Sequence, residues 1–152
     1  MSRFRGRFYH TIDAKGRVSI PSGYRLELQS NSEQAPIVTN GVTAAGNCLW
    51  LYAYEDWCEY ESRIVKLAPS NLDVQAYVRF MVSGATECPI DGQGRTLLPA
   101  FLREHGELER EVTIMGAGDR IEIWNKSMLD ENLARTQEDF PRISAVVAGL
   151  EQ

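Results

Sequence analysis

The spacing of hydrophobic and polar positions changes along this chain, and each change marks an element. From Phe4 to Ile12 the period is two. Arg3, Arg5, Arg7, Tyr9 and Thr11 fall on one face; Phe4, Gly6, Phe8, His10 and Ile12 fall on the other. That alternation predicts a half-buried strand with a basic exposed face. Asp13, a three-residue loop and Arg17 follow, and Val18 and Ile20 continue as a returning strand. Three-residue hairpin loops commonly need positive φ at their third position, which glycine adopts most easily, and Gly16 stands there. The spacing predicts a hairpin with Asp13 and Arg17 facing each other across its neck. Pro21 ends the returning strand and permits a short helix over Tyr24–Leu28. Asn31, Ser32, Gln34 and Pro36 then read as a loop.

The same series returns 78 positions on. Ile12–Arg25 and Ile90–Arg103 are identical at six of fourteen positions, and Asp91-Gly92-Gln93-Gly94-Arg95 repeats the five-residue motif with Gly94 at the turn. Such a repeat bears on the architecture before any single element does. After each copy comes a strand pair, Ile37–Thr39 with Cys48–Tyr52 and Val112–Met115 with Ile121–Trp124, and after each pair a helix. Trp57, Tyr60, Ile64 and Leu67 make one apolar stripe; Met128, Leu129 and Leu133 make a shorter one behind a Ser127-x-x-Asp130 cap. Between the copies, Ser70-x-x-Asp73 opens a helix with Leu72, Ala76, Tyr77, Phe80 and Met81 on its buried side, and Ser83-Gly84 stops it. The chain thus divides into a first repeat (1–68), a connecting helix (69–83), a second repeat (84–135) and a C-terminal helix or tail (136–152).

Charge adds a direction to this pattern. The 152 residues carry a formal net charge of −5. Residues 1–28 nevertheless hold six basic side chains against Asp13 and Glu27, a net of +4, and the remainder holds ten basic against nineteen acidic, a net of −9. A basic end on an acidic body points to an anionic partner at that end. No apolar run approaches the roughly 18 residues of a membrane span, and no signal segment opens the chain, so a cytoplasmic protein with no membrane partner is expected. Cys48, Cys58 and Cys88 are odd in number and form no CxxC pair, which argues against a disulfide framework and a zinc site.

Enzyme readings find little support. His10 corresponds to Cys88 in the second copy, which reads as core filling; a nucleophile and base would also need an orienting third group. His105, beside Gly106, reads as solvated. Gly116-Ala117-Gly118 lacks the third glycine of a dinucleotide loop, and no phosphate-binding GxxxxGK[ST] is present. Asp13 and Asp91 each have an arginine opposite, which keeps a carboxylate ionised. No catalytic residue, metal, cofactor or small-molecule substrate is therefore expected. The Asp–Arg pairs themselves admit two readings: a structural pair, or a turn that projects cations. Arg3, Arg5 and Arg7 on the same hairpin, with Lys15 at its tip, favour the second, since a tip cation adds nothing to the turn.

Phe4-Arg5-Gly6, then His10-Thr11-Ile12-Asp13-Ala14-Lys15-Gly16-Arg17, then Ile20-Pro21, with the second Asp-x-x-x-Arg at Asp91–Arg95, resembles the MraZ family of bacterial transcriptional regulators. The resemblance implies an α+β fold of tandem SpoVT/AbrB-like βαββ repeats forming a barrel-like sheet with flanking helices. It also implies a ring-like homo-oligomer on double-stranded DNA at short promoter direct repeats of the division and cell-wall operon, hence nucleoid association. The motif arginine of that family contacts DNA, which carries over to Arg17 and Arg95. The candidate DNA-binding set is Arg3, Arg5, Arg7, Lys15, Arg17 and Arg95, shaped by turns at Asp13, Gly16, Asp91 and Gly94. The second tip is Gln93 where the first is Lys15, so the two halves are expected to contribute unequally. An antitoxin-like protein-interaction module is the alternative.

Overall fold

The computed structural model, which describes residues 3–29 and 33–152, is built on strands that bury both of their faces. In the strand Gly46–Tyr52, Leu49 and Leu51 point to one side and Cys48, Trp50 and Tyr52 to the other, and all five are buried. In Ile121–Asn125, Ile121 and Ile123 alternate in the same way with Glu122 and Trp124. Period-two alternation with apolar residues on both faces calls for a layer on each side, and the chain supplies both.

The strands are β1 (Arg7–Thr11), β2 (Arg17–Ser19), β3 (Ile37–Thr43), β4 (Gly46–Tyr52), β5 (Thr86–Glu87), β6 (Arg95–Leu97), β7 (Glu111–Gly116) and β8 (Ile121–Asn125). The helices are α1 (Ser22–Gln29), α2 (Tyr54–Leu67), α3 (Leu72–Gly84), α4 (Ala100–His105), α5 (Lys126–Glu138) and α6 (Phe140–Leu150). Six strands form one antiparallel sheet in the order β1-β7-β8-β4-β3-β5, and β2 and β6 form a separate ribbon. The sheet is open, with β1 and β5 as its edges, where the resemblance implies a barrel-like sheet. Leu49, Leu51, Ile114 and Ile123 on one face meet Val18 of the ribbon and Ile20 just after it, with Leu28 of α1 and Leu102 of α4. Trp50, Tyr52 and Trp124 on the other face meet Trp57 and Ile64 of α2, Met81 of α3 and Leu129 of α5. Among the described residues no helix is long and apolar enough to cross a membrane.

The strand pairs β3–β4 and β7–β8 and the helices α1, α2 and α4 stand where the pattern predicts them. The hairpins are reduced to their necks: Asp13 and Asp91 N–H donate to Arg17 and Arg95 O, and one bridge, Ile90 with Thr96, stands behind the second. β1 pairs along its whole length with β7, from Arg7 opposite Met115 to Thr11 opposite Glu111, and β2 pairs with β6. The turn at Asp13–Arg17 therefore forms without a ladder behind it and carries the chain from the sheet to the ribbon. Alternation specifies which face of a strand is buried but not which strand lies beside it. Here the partner lies in the other half of the chain.

Two helix starts also differ. α3 is capped by Asn71, whose Oδ1 accepts from the N–H groups of Asp73 and Val74, and not by Ser70. α5 is capped by Asn125, which accepts from Met128 N–H at 3.2 Å, while Asp130 pairs with Lys126 instead of closing a box with Ser127. Asparagine caps as well as serine does, so position in the fold decides between neighbours. On α3, Met81 is buried but Leu72, Tyr77 and Phe80 are exposed. Its C-terminal turn is fastened by buried polar side chains instead: Thr39 Oγ1 donates to Met81 O and Asn40 Nδ2 to Phe80 O. The terminal segment is helical, as α6. The loop expected at Asn31 and Ser32 lies outside the described residues.

Candidate nucleic-acid interface

Each Asp-x-x-x-Arg segment is a self-contained turn. Asp13 Oδ1 accepts from the N–H groups of Lys15 and Arg17, both at 2.9 Å, and Asp13 Oδ2 accepts from Arg17 Nε at 2.7 Å. Gly16 closes the turn, its N–H donating to Asp13 O, with φ at +88°. The second copy repeats every contact: Asp91 Oδ1 takes the N–H groups of Gln93 and Arg95, Asp91 Oδ2 takes Arg95 Nε at 3.1 Å, and Gly94 has φ of +80°. The N–H of Arg17 is the main reason that the Asp13 carboxyl is held down to about 2; partial burial opposes it, while the Arg17 side chain and the Lys15 N–H reinforce it. Asp91 is lowered for the same first cause, the N–H of Arg95. Both carboxylates are ionised acceptors at neutral pH, and both engage Nε, leaving the terminal nitrogens of each arginine outside the pair.

The ribbon then brings the two turns together. Arg17 stands opposite Leu97, Val18 opposite Thr96, and Ser19 opposite Arg95. Val18 and Thr96 are buried, so Arg17, Ser19, Arg95 and Leu97 share the outward face. Diagonal neighbours on such a face lie roughly 7–8 Å apart, so one small surface carries both motif arginines. Reciprocal contacts lock the turns to opposite ends of the ribbon. Ile20 N–H donates to Gly94 O, and Leu98 N–H donates to Gly16 O, both at 2.9 Å.

Two further arginines lie beneath the turns. A Cβ on Gly16 would come within 2.9 Å of the Arg103 guanidinium, and one on Gly94 within 2.5 Å of that of Arg25. Each turn is thus packed by the arginine of the other half. Arg103 Nε donates to Leu98 O at 3.0 Å, whereas the buried Nε of Arg25 has no acceptor. Arg25 and Arg103 escaped the candidate set, although their identity in the repeat was the available signal. The charged side chains of the two turns, with the two arginines packed on them, sum to a net of +3, and Glu104, Glu107 and Glu109 share a cleft with Arg103.

The remaining candidates disperse. Arg3 is ion-paired with Glu27 and Asp56 and lines a cleft of about 800 Å³ with Trp50, Tyr52 and Tyr60, on the α2 side. Arg5 is exposed, and its backbone carbonyl accepts from Tyr24 Oη. Arg7 is exposed on β1, beside Leu133 of α5 and Phe140 of α6. Tyr9, on the same strand face as Arg7, receives Lys126 Nζ over its ring at 5.4 Å. The positive φ of Gly6 interrupts the alternation between Phe4 and Phe8. His105, expected to be solvated, is half-buried, with Nε2 2.9 Å from Gly41 O and its ring against Phe80. Cys48 and Cys88 are buried free thiols; burial pushes Cys88 up to about 11 and Cys48 higher still.

An open α+β sheet with a separate ribbon that displays two arginine-bearing turns defines the kind of protein to compare. The family model described as "MraZ protein, putative antitoxin-like" matches residues 3–79 and 81–145. A protein of Moorella thermoacetica named transcriptional regulator MraZ is 40% identical over 141 residues, covering 93% of this chain and 94% of its own. Proteins of the same name from Thermoanaerobacter pseudethanolicus (41% over 139 residues, 91% of this chain and 92% of its own) and Alkaliphilus metalliredigens (45% over 122 residues, 80% of each) are also similar to this chain. The chain belongs to the MraZ family.

Proposed function

We propose that this protein is a non-enzymatic, sequence-specific DNA-binding transcriptional regulator acting in the cytoplasm at the nucleoid. Its two SpoVT/AbrB-like repeats (1–68 and 84–135) bind short direct repeats upstream of the division and cell-wall operon as a ring-like homo-oligomer. One observation carries this reading: both Asp–Arg motifs deliver their arginine to the same outward face of one ribbon. Exposed ion pairs of this kind contribute only about 0–1 kcal/mol to stability, so the arginine side chains add little to turns that the backbone N–H groups already close. Arginine with free terminal nitrogens suits bidentate contact with guanine or phosphate. One subunit offers few phosphate contacts, each adding about −0.9 to the salt slope; several subunits would gain from effective concentration. α6 supports self-assembly, because it buries none of its residues against its own chain and exposes Phe140, Val146, Val147 and Leu150.

The test is an electrophoretic shift of promoter DNA beside size-exclusion chromatography. Arg17→Ala is expected to abolish the shift at unchanged oligomer mass, and unchanged DNA affinity would sink the assignment. The family description favours one alternative, an antitoxin-like module with a protein partner. That reading predicts a cognate protein that co-purifies and covers the Arg3–Arg7 segment.

A further inference from the structure

The outward face of the ribbon carries one side chain that phosphate contact leaves unexplained. Leu97 stands directly across from Arg17 and is 57% exposed. It is an apolar side chain in a cationic surface, with Lys15 at the adjoining turn. Its counterpart by the 78-residue repeat is Ser19, which stands across from Arg95 at the other end. The backbone contacts at the two ends match, Ile20 to Gly94 and Leu98 to Gly16. Their chemistry does not: one end presents arginine with leucine, the other arginine with serine.

We propose that Leu97 is a specificity-determining residue that packs on the 5-methyl group of a thymine beside the guanine contacted by Arg17, and so sets the direction in which the ribbon lies on its site. This rests on the DNA-binding reading above. Cross-strand partners on one face hold their Cβ atoms roughly 4.5–5.5 Å apart. Successive bases on a strand rise about 3.4 Å, so the pair spans a neighbouring base step. In the major groove the thymine methyl is the apolar feature of the base edges, while a serine hydroxyl can serve any base. A ribbon with equivalent backbone ends and unlike side chains therefore reads an asymmetric element.

The test uses the full-length protein and a duplex selected by it from a random library. Each thymine is replaced in turn by deoxyuridine, which removes only the methyl, and each guanine by 7-deazaguanine, which removes the N7 acceptor. At one thymine per site, deoxyuridine is expected to weaken wild-type binding about fourfold, the worth of one buried CH₂-sized group. That thymine should neighbour a guanine whose 7-deaza substitution weakens wild-type binding about tenfold or more, as loss of a bidentate arginine contact would. In Leu97→Ala the deoxyuridine penalty should vanish. An equal penalty in wild type and Leu97→Ala overturns the proposal, as does a methyl-sensitive thymine remote from that guanine. A fall in oligomer mass in Leu97→Ala without loss of methyl sensitivity would overturn it too, marking Leu97 as an assembly contact. Unchanged affinity in Arg17→Ala would instead remove the DNA-binding reading itself, whatever Leu97 does.

Discussion

The turn at Asp13–Arg17 and the turn at Asp91–Arg95 make the same hydrogen bonds from the same atoms, yet they present different surfaces. Each has an aspartate that gathers two backbone N–H groups, a glycine at positive φ and an arginine held through Nε. Each is packed by an arginine from the other half. Beyond that frame they diverge: Lys15 against Gln93 at the tip, and Leu97 against Ser19 as the neighbour of the arginine. The frame follows from geometry that five residues satisfy locally. The displayed groups are not constrained by that geometry, and they are where the copies differ. The two turns thus share a shape and differ in the side chains they display.

The sharpest way to break this comparison is to remove each arginine in turn. Arg17→Ala should lower promoter affinity by at least about a hundredfold and Arg95→Ala by about tenfold, within the range of one or two bidentate base contacts. Equal losses in a fluorescence-anisotropy titration would mean that the tips and neighbours do not matter. Next in size are the glycines. Gly16→Ala and Gly94→Ala each force a side chain into positive φ, a cost of about 1–2 kcal/mol. Both Cβ atoms would meet a guanidinium, the movable end of a flexible side chain, so the two losses should be alike. Urea denaturation would read both, and an unchanged midpoint in either variant would contradict the positive-φ turn there.

Exchanging the tips has a smaller effect and tests charge alone. Lys15→Gln should make the salt slope of DNA binding shallower by about 0.9 per contacting subunit, and Gln93→Lys should steepen it by the same amount. A slope that moves in neither variant would take both tips off the phosphate backbone. Acid titration gives the smallest effect. A carboxylate lowered on folding contributes stability above its ordinary value of 3.8 and loses it as pH falls through its folded value, about 2 for Asp13. Carboxyl-carbon NMR shifts should show the Asp13 midpoint near 2 and that of Asp91 also below 3.8. Asp13→Asn should abolish the pH dependence from that turn, and a normal midpoint would mean that the N–H bonds are not formed in solution.

The residues themselves announce whatever depends on neighbours a few positions away. The two turns, the strand pairs β3–β4 and β7–β8, and the short helices after Pro21 and Pro99 all close within short stretches of chain. Propensity, turn chemistry and alternation act at that range. The tertiary structure alone decided what meets across the repeat. It sent β1 to β7 and β2 to β6, so that no extended ladder formed behind either turn, only the single Ile90–Thr96 bridge behind the second. It drew Arg3 into ion pairs with Glu27 and Asp56, away from the basic set to which its strand face had assigned it. It also placed Arg17 beside Leu97 and laid Arg25 and Arg103 under the opposite turns. The physical reason is that a period of two names a buried face and leaves the neighbouring strand open. That choice is settled by which surfaces can be covered together, some 80 residues apart in the chain.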